Sequence, residues 1–288
     1  MATAERNPHR MVHPGPVHPK RIEWARGDLV HAQMTDAPAG TTLRDAVTAL
    51  VSTTGQTSGT GRFQGSFSKF RFTTGGPARD GKAANYTYIR DVDGPSELVD
   101  VRFTFGLDAD DACFVHAHGT FNQPLENGEQ GGHLFPDACM IATSGHLSIV
   151  ALEGLLLRQQ VDAETLHNVF DIERGADAGR GMFVRVRPNE DLTIGLERTL
   201  EATGAMRALS INSIGSINAP IFCTGSSNGR KLDNLGMELL TMDAAFQNGR
   251  CTIACDAIDR RGHTHSGTLK PGHAPVCVTA EIMLEVLC

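Results

Sequence analysis

No apolar run in this chain approaches the roughly 20 residues needed to span a bilayer. The first twenty residues also lack the apolar stretch of a secretory signal. Membrane and exported classes therefore drop out, and a cytoplasmic protein is expected. Positive charge is in short supply: Lys plus Arg is 26 against 33 for Asp plus Glu, a formal net of −7. The longest basic clusters are Lys20-Arg21 and Arg260-Arg261. DNA affinity grows with the phosphates neutralised, so the composition speaks against DNA as a partner. The seven cysteines include no CxxC pair. An odd count without an export signal reads as reduced thiols, several in apolar runs where Cys acts as a small hydrophobe. No GxxxxGK[ST] phosphate loop and no GxSxG elbow occur, so Ser226-Ser227 reads as turn material.

What is present suits a packed core: 40% apolar and 20% charged residues, too many core formers for disorder. Residues 1–27 form a Pro-rich arm, in which Pro8, Pro14, Pro16 and Pro19 prevent regular helix. Its His9, His13 and His18 read as part of an extended arm lying over its own domain or a neighbour. Beyond it, Leu43, Ala46, Val47, Leu50 and Val51 share one helical face, with Thr42 as cap and Gly55 past the end. Strands are expected at 62–67, 70–73, 85–89, 98–105, 113–121 and 140–152.

The same order then recurs. A helix capped at Asn189 and ended by Gly204 precedes strands at 208–217, 237–242, 250–258 and 276–287. Gly65-Ser66 matches Gly215-Ser216, and residues 134–152 align with 269–287 without a gap. The expected fold class is α+β: two copies of an antiparallel β-sheet or barrel-like unit with a flanking helix. The copies are placed at 28–155 and 180–288, with 156–179 as linker.

Three histidines of the first copy carry the sharpest chemical signal. His116 and His118 lie on an expected strand, where period-2 alternation sends both imidazoles to one face, their Cα atoms about 6.5–7 Å apart. That spacing lets two ring nitrogens converge on one ion. His133 follows Gly131-Gly132, where absent side chains let the backbone approach a neighbouring strand. Three neutral imidazoles leave a position open for water or substrate, the arrangement of catalytic zinc. The aligned residues of the second copy, Ala254, Asp256 and Thr268, cannot reproduce it. His263, His265 and His273 lie out of register and read as loop residues.

His116-Ala-His118 followed by Gly131-Gly132-His133-Leu134 resembles the PPC domain (plants and prokaryotes conserved, also DUF296). The second half resembles it through Glu190-Asp191-Leu192, Ile214-Gly215-Ser216 and Thr279-Ala280-Glu281. The whole looks like bacterial tandem members, with the second copy degenerate. His146 stands where a glutamate is expected, at the place the second copy fills with Glu281. The resemblance implies an antiparallel sheet curled around a core with a flanking helix, and a fold related to acetolactate decarboxylase. It implies a divalent metal, usually Zn2+, on His116, His118 and His133, and homo-oligomers, trimers among single-domain members. The AT-hook of plant relatives is absent, since Gly179-Arg180-Gly181 lacks its flanks, so the DNA-binding label is not carried over.

Three further residues are candidates for catalysis. Lys82, in Asp80-Gly-Lys-Ala-Ala-Asn-Tyr86, would bind a substrate carboxylate, and Tyr86 would donate a proton or hydrogen bond. Glu164, in Asp162-Ala-Glu-Thr165, would serve as general base; the plainer reading is a linker or helix cap. Glu126 and Glu129 are expected to be solvated. The function expected is a metal-dependent enzyme, lyase or hydrolase, acting on a small carbonyl or carboxylate substrate. The alternative is a non-catalytic binding or regulatory protein, DNA-associated in that case.

Overall fold

The computed structural model describes residues 10–78, 83–86, 88–122, 125, 128–229, 232 and 234–287. Strands β1 (Ile22–Gly27) and β2 (Leu29–Ala37) lead into helix α1 (Leu43–Ser52). There follow β3 (Gly59–Thr73), β4 (Gly75–Pro77), β5 (Ala84–Tyr86), β6 (Arg90–Leu107), β7 (Cys113–Phe121) and β8 (Gly131–Leu134). Next are β9 (Met140–Ile141), β10 (Gly145–Leu152), β11 (Leu156–Val161), β12 (Asn168–Arg174) and β13 (Gly181–Val186). After helix α2 (Leu192–Ala202) come β14 (Arg207–Ile217), β15 (Met237–Gln247), β16 (Arg250–Ile258), β17 (Thr264–Thr268) and β18 (Val276–Leu287).

One sheet runs β12-β11-β6-β7-β8-β3-β10-β2, with β9 on β3. Because β3 also pairs with β6, strands β3, β6, β7 and β8 close on themselves. The other sheet runs β1-β13-β18-β14-β15-β16-β17. Nearly all named pairings are antiparallel, the single bridge between β11 and β6 being the parallel one. The α+β expectation is thus corrected: the described chain is mostly β, with two α-helices. The long strands alternate buried and exposed positions, as over 242–247 of β15.

Each sheet has its own apolar core. Phe63, Phe67, Phe70 and Phe72 of β3 pack with Phe103 and Phe105 of β6 and with the α1 face Leu43, Ala46, Val47, Leu50 and Val51. Phe63 and Phe67 stack at 5.3 Å between ring centroids. Gly61 is required there, since a Cβ would meet the Phe103 ring at 2.3 Å. The second core joins Leu192, Leu196 and Leu200 of α2 to β13, β14, β15, β16 and β18.

The α1 cap is Thr42, whose hydroxyl accepts the Asp45 N–H as expected. For α2 the cap is Asp191 rather than Asn189, because Asn189 has φ of 64° and bonds elsewhere. Its side chain exchanges two 2.8 Å hydrogen bonds with the Met11 backbone and pins the arm. Residues 22–27, counted with the arm, form β1, and residues 156–174 of the expected linker form β11 and β12. The expected breaks at 68–69 and 90–97 vanish into β3 and β6; on β3 register shifts near Phe67 and Lys69 absorb the irregularity. Among the described residues no helix is long and apolar enough to cross a membrane.

Candidate metal centre

Strand alternation puts His116 and His118 on one face of β7, and the register of β7 with β8 sets His133 directly opposite His118. The three ring centroids stand 4.9, 5.2 and 5.3 Å apart, and one nitrogen from each ring lies within 4.8 Å of the others. Gly131 and Gly132 make this approach possible. A Cβ on Gly132 would meet the Thr73 carbonyl oxygen at 2.4 Å, and one on Gly131 the Gly119 carbonyl oxygen at 2.5 Å.

The other sheet closes the site from the opposite side. His118 Nδ1 donates to the Leu239 carbonyl at 2.8 Å, and His116 Nδ1 donates to the Glu281 carboxylate at 3.0 Å. These contacts occupy one nitrogen of each ring and leave the other facing the cluster. His118 Nε2 is buried and makes no hydrogen bond among the described residues; a Glu238 carboxylate oxygen is 3.4 Å away. The Tyr86 hydroxyl stands 2.9 Å from His133 Nε2.

Electrostatics favour neutral, lone-pair-bearing rings at two of the three positions. Burial and the neighbouring His116 push His118 down to about 3. Burial, with His116, His118 and His167, holds His133 well below the ordinary histidine range. Burial also works against the charged form of His116, but the charge and hydrogen bond of Glu281 outweigh it and raise this ring. Burial lifts Glu238 to about 7, against a smaller opposing pull from His116.

A cleft of about 500 Å³, counting its open mouth, adjoins the cluster; Tyr86, His116, His133, Ser216, Glu238 and Thr279 line it. Thr279, 4% exposed, has a hydroxyl with no hydrogen-bond partner among the described residues. The cleft therefore combines a few convergent polar groups with apolar walls, as ligand sites do.

The structure brings Tyr86 to the histidines. Lys82 lies outside the described residues, as does Glu126. Glu164 is held elsewhere: its carboxylate pairs with Arg21 at 2.6 Å and accepts the His18 N–H at 3.0 Å, fastening the arm. Glu129, expected to be solvated, is buried and paired with Arg90. His265, expected in a loop, is buried on β17 between Ser227 and Asp259. In the second sheet Asp256 is bonded by Thr241 and Ser266, so no imidazole cluster forms there among the described residues. Sequence reasoning missed Glu238 altogether, and singled out Glu281 only as part of a motif and as the counterpart of His146, without placing it at the histidines. Neither carries a spacing signal, because both reach the histidines from another sheet.

No family model matches the sequence, and no curated protein matches it. Among solved structures, a metal-containing protein from Archaeoglobus fulgidus is similar at 18% identity and a TM-score of 0.40, over 53% of this chain and 99% of its own. A plant- and prokaryote-conserved (PPC) protein from Pyrococcus horikoshii is similar at 18% identity and a TM-score of 0.38, over 52% and 96%. A "putative DNA-binding protein" from Ralstonia eutropha JMP134 is similar at 18% identity and 0.36, over 52% and 90%. The expectation that sets DNA aside is corrected here, since two similar structures bear that description. Net charge is a sum over the whole chain and does not describe any one face of it.

Proposed function

We propose that His116, His118 and His133 hold a single divalent cation, zinc by the affinity of that ion for imidazole, in a site that processes a small carbonyl compound. The observation that supports this is the convergence of three ring nitrogens within 4.8 Å, with the far nitrogens of two rings engaged by Glu281 and Leu239. The buried, unbonded His118 Nε2 fits such a group, because a polar atom in that place otherwise lacks a partner.

A bound ion supplies Lewis acidity toward a carbonyl, or an activated water, which suits the lyase or hydrolase chemistry implied by the family resemblance. The protein's own groups do the rest. Tyr86 presents its hydroxyl beside His133 as a hydrogen-bond or proton donor to a bound oxygen. Glu238 faces the same space from the opposite sheet and accepts a proton at its carboxylate. Thr279 offers an unused hydroxyl for orienting a ligand. Lys82, four positions before Tyr86, is the group for a substrate carboxylate. Glu164, held by Arg21, has no part in this reading. The division into a metal-bearing first unit and a supporting second unit belongs to the same proposal.

The second reading is a non-catalytic binding or regulatory protein with DNA as its partner, toward which the descriptions of two similar structures lean. Elemental analysis of the purified protein, then of His116→Ala, tests the first reading; a full complement of metal in the variant sinks it. Titration with duplex DNA at two salt concentrations tests the second, which requires binding that weakens steeply as salt rises.

A further inference from the structure

We infer that Glu281, on β18, is a positioning residue for the metal centre: it fixes the His116 ring. The inference rests on the metal reading above and adds to it a role for the second half of the chain, which brings no imidazole to the cluster.

Glu281 is fully buried, with one carboxylate oxygen 3.0 Å from His116 Nδ1. A carboxylate only accepts, so the proton of the His116 ring sits on Nδ1 and the lone pair on Nε2. That is the tautomer in which the ring can offer Nε2 to a cation shared with His118 and His133. A buried carboxylate needs a countercharge. The register of β13 with β18 sets Arg185 opposite Glu281, a positive charge on the neighbouring strand, while the second carboxylate oxygen of Glu281 is buried with no hydrogen-bond partner among the described residues. Arg185 is itself fully buried, pairing with Asp162 at 2.9 Å and with Asp171. The matching position of the first half is His146, which is exposed on β10 and takes no part.

Cobalt(II) affinity, measured by chelator competition on the full chain, tests this. Glu281→Gln keeps an acceptor but not the charge, and Glu281→Leu removes both. The expected losses are about tenfold for the first and up to about 100-fold for the second, with a shifted cobalt visible spectrum in each. Nitrogen-15 shifts of the histidine rings in the metal-free, unmodified chain should show His116 protonated on Nδ1. Wild-type affinity and spectrum in both variants would overturn the inference, as would a neutral His116 ring protonated on Nε2 alone. If the unmodified chain binds no cobalt, the metal reading itself fails, and the ring shifts then decide the Glu281 contact alone.

Discussion

His118 Nε2 lies 3.4 Å from a Glu238 oxygen, although the two residues belong to different sheets. The cluster is therefore roofed: β7 and β8 supply the imidazoles, and β15 and β18 supply the carboxylates that face them. Neither sheet contains the whole arrangement. The consequences can be measured.

Removing a ligand should empty the site. His118→Ala and His133→Ala are expected to lose stoichiometric zinc after dialysis, as read by elemental analysis, while far-ultraviolet circular dichroism stays that of a β protein. One equivalent of tightly held zinc in either variant would contradict the assignment.

Tyr86→Phe removes one hydroxyl and leaves the ring packed on His133, 4.7 Å away between centroids. Zinc content should be unchanged. Binding of acetohydroxamate to the cobalt-loaded protein should weaken by about 1 kcal/mol, the usual worth of one hydrogen bond, or roughly fivefold. Equal binding by the variant would leave Tyr86 as a packing residue.

The buried charges predict an acid limb of stability. Burial alone would raise the Asp162 carboxyl, but the Thr165 N–H and the Arg185 guanidinium outweigh it and hold the group at about 2. A depressed carboxylate contributes stability above its unfolded range and loses it as pH falls from about 4 to about 2. The loss should be on the order of 2 kcal/mol, seen as a falling urea midpoint. Asp162→Asn should be less stable than the parent at pH 7 and show a flatter profile below pH 4; an unchanged slope would refute the account.

Gly132→Ala places a Cβ 2.4 Å from the Thr73 carbonyl oxygen, and that oxygen belongs to backbone held between two strands. The strands must separate, at a cost of about 1–3 kcal/mol, and His133 must move with them. Thermal unfolding should therefore shift down together with zinc affinity. A stable variant with full affinity would mean that β8 has room to spare.

Much of this was legible one residue at a time. The α1 face was visible because five apolar residues repeat at helical spacing, and the limits of β7 because polar groups bound an alternating run. The histidine trio was legible for the same reason: a strand and a Gly-Gly step dictate where three rings point. What could not be read depends on how sheets meet. Glu238 and Glu281 look like ordinary strand residues until the two sheets face each other. The cap of α2 was misplaced because Asn189 satisfies the usual capping composition, yet its side chain is engaged by Met11, far away in sequence. Glu164 likewise offers a carboxylate with no local sign that Arg21 has already claimed it.

β1 lends the chain an interlaced construction. It is the rim of the second sheet, paired with β13, yet it precedes every strand of the first. A ribosome delivers that rim long before the surface it must cover exists, so the second sheet stays open along β13 until the two find one another. A fragment starting at residue 180 would keep that bare edge permanently. Such edges recruit strands from other molecules, so cutting between the halves should produce a self-associating piece rather than a clean half.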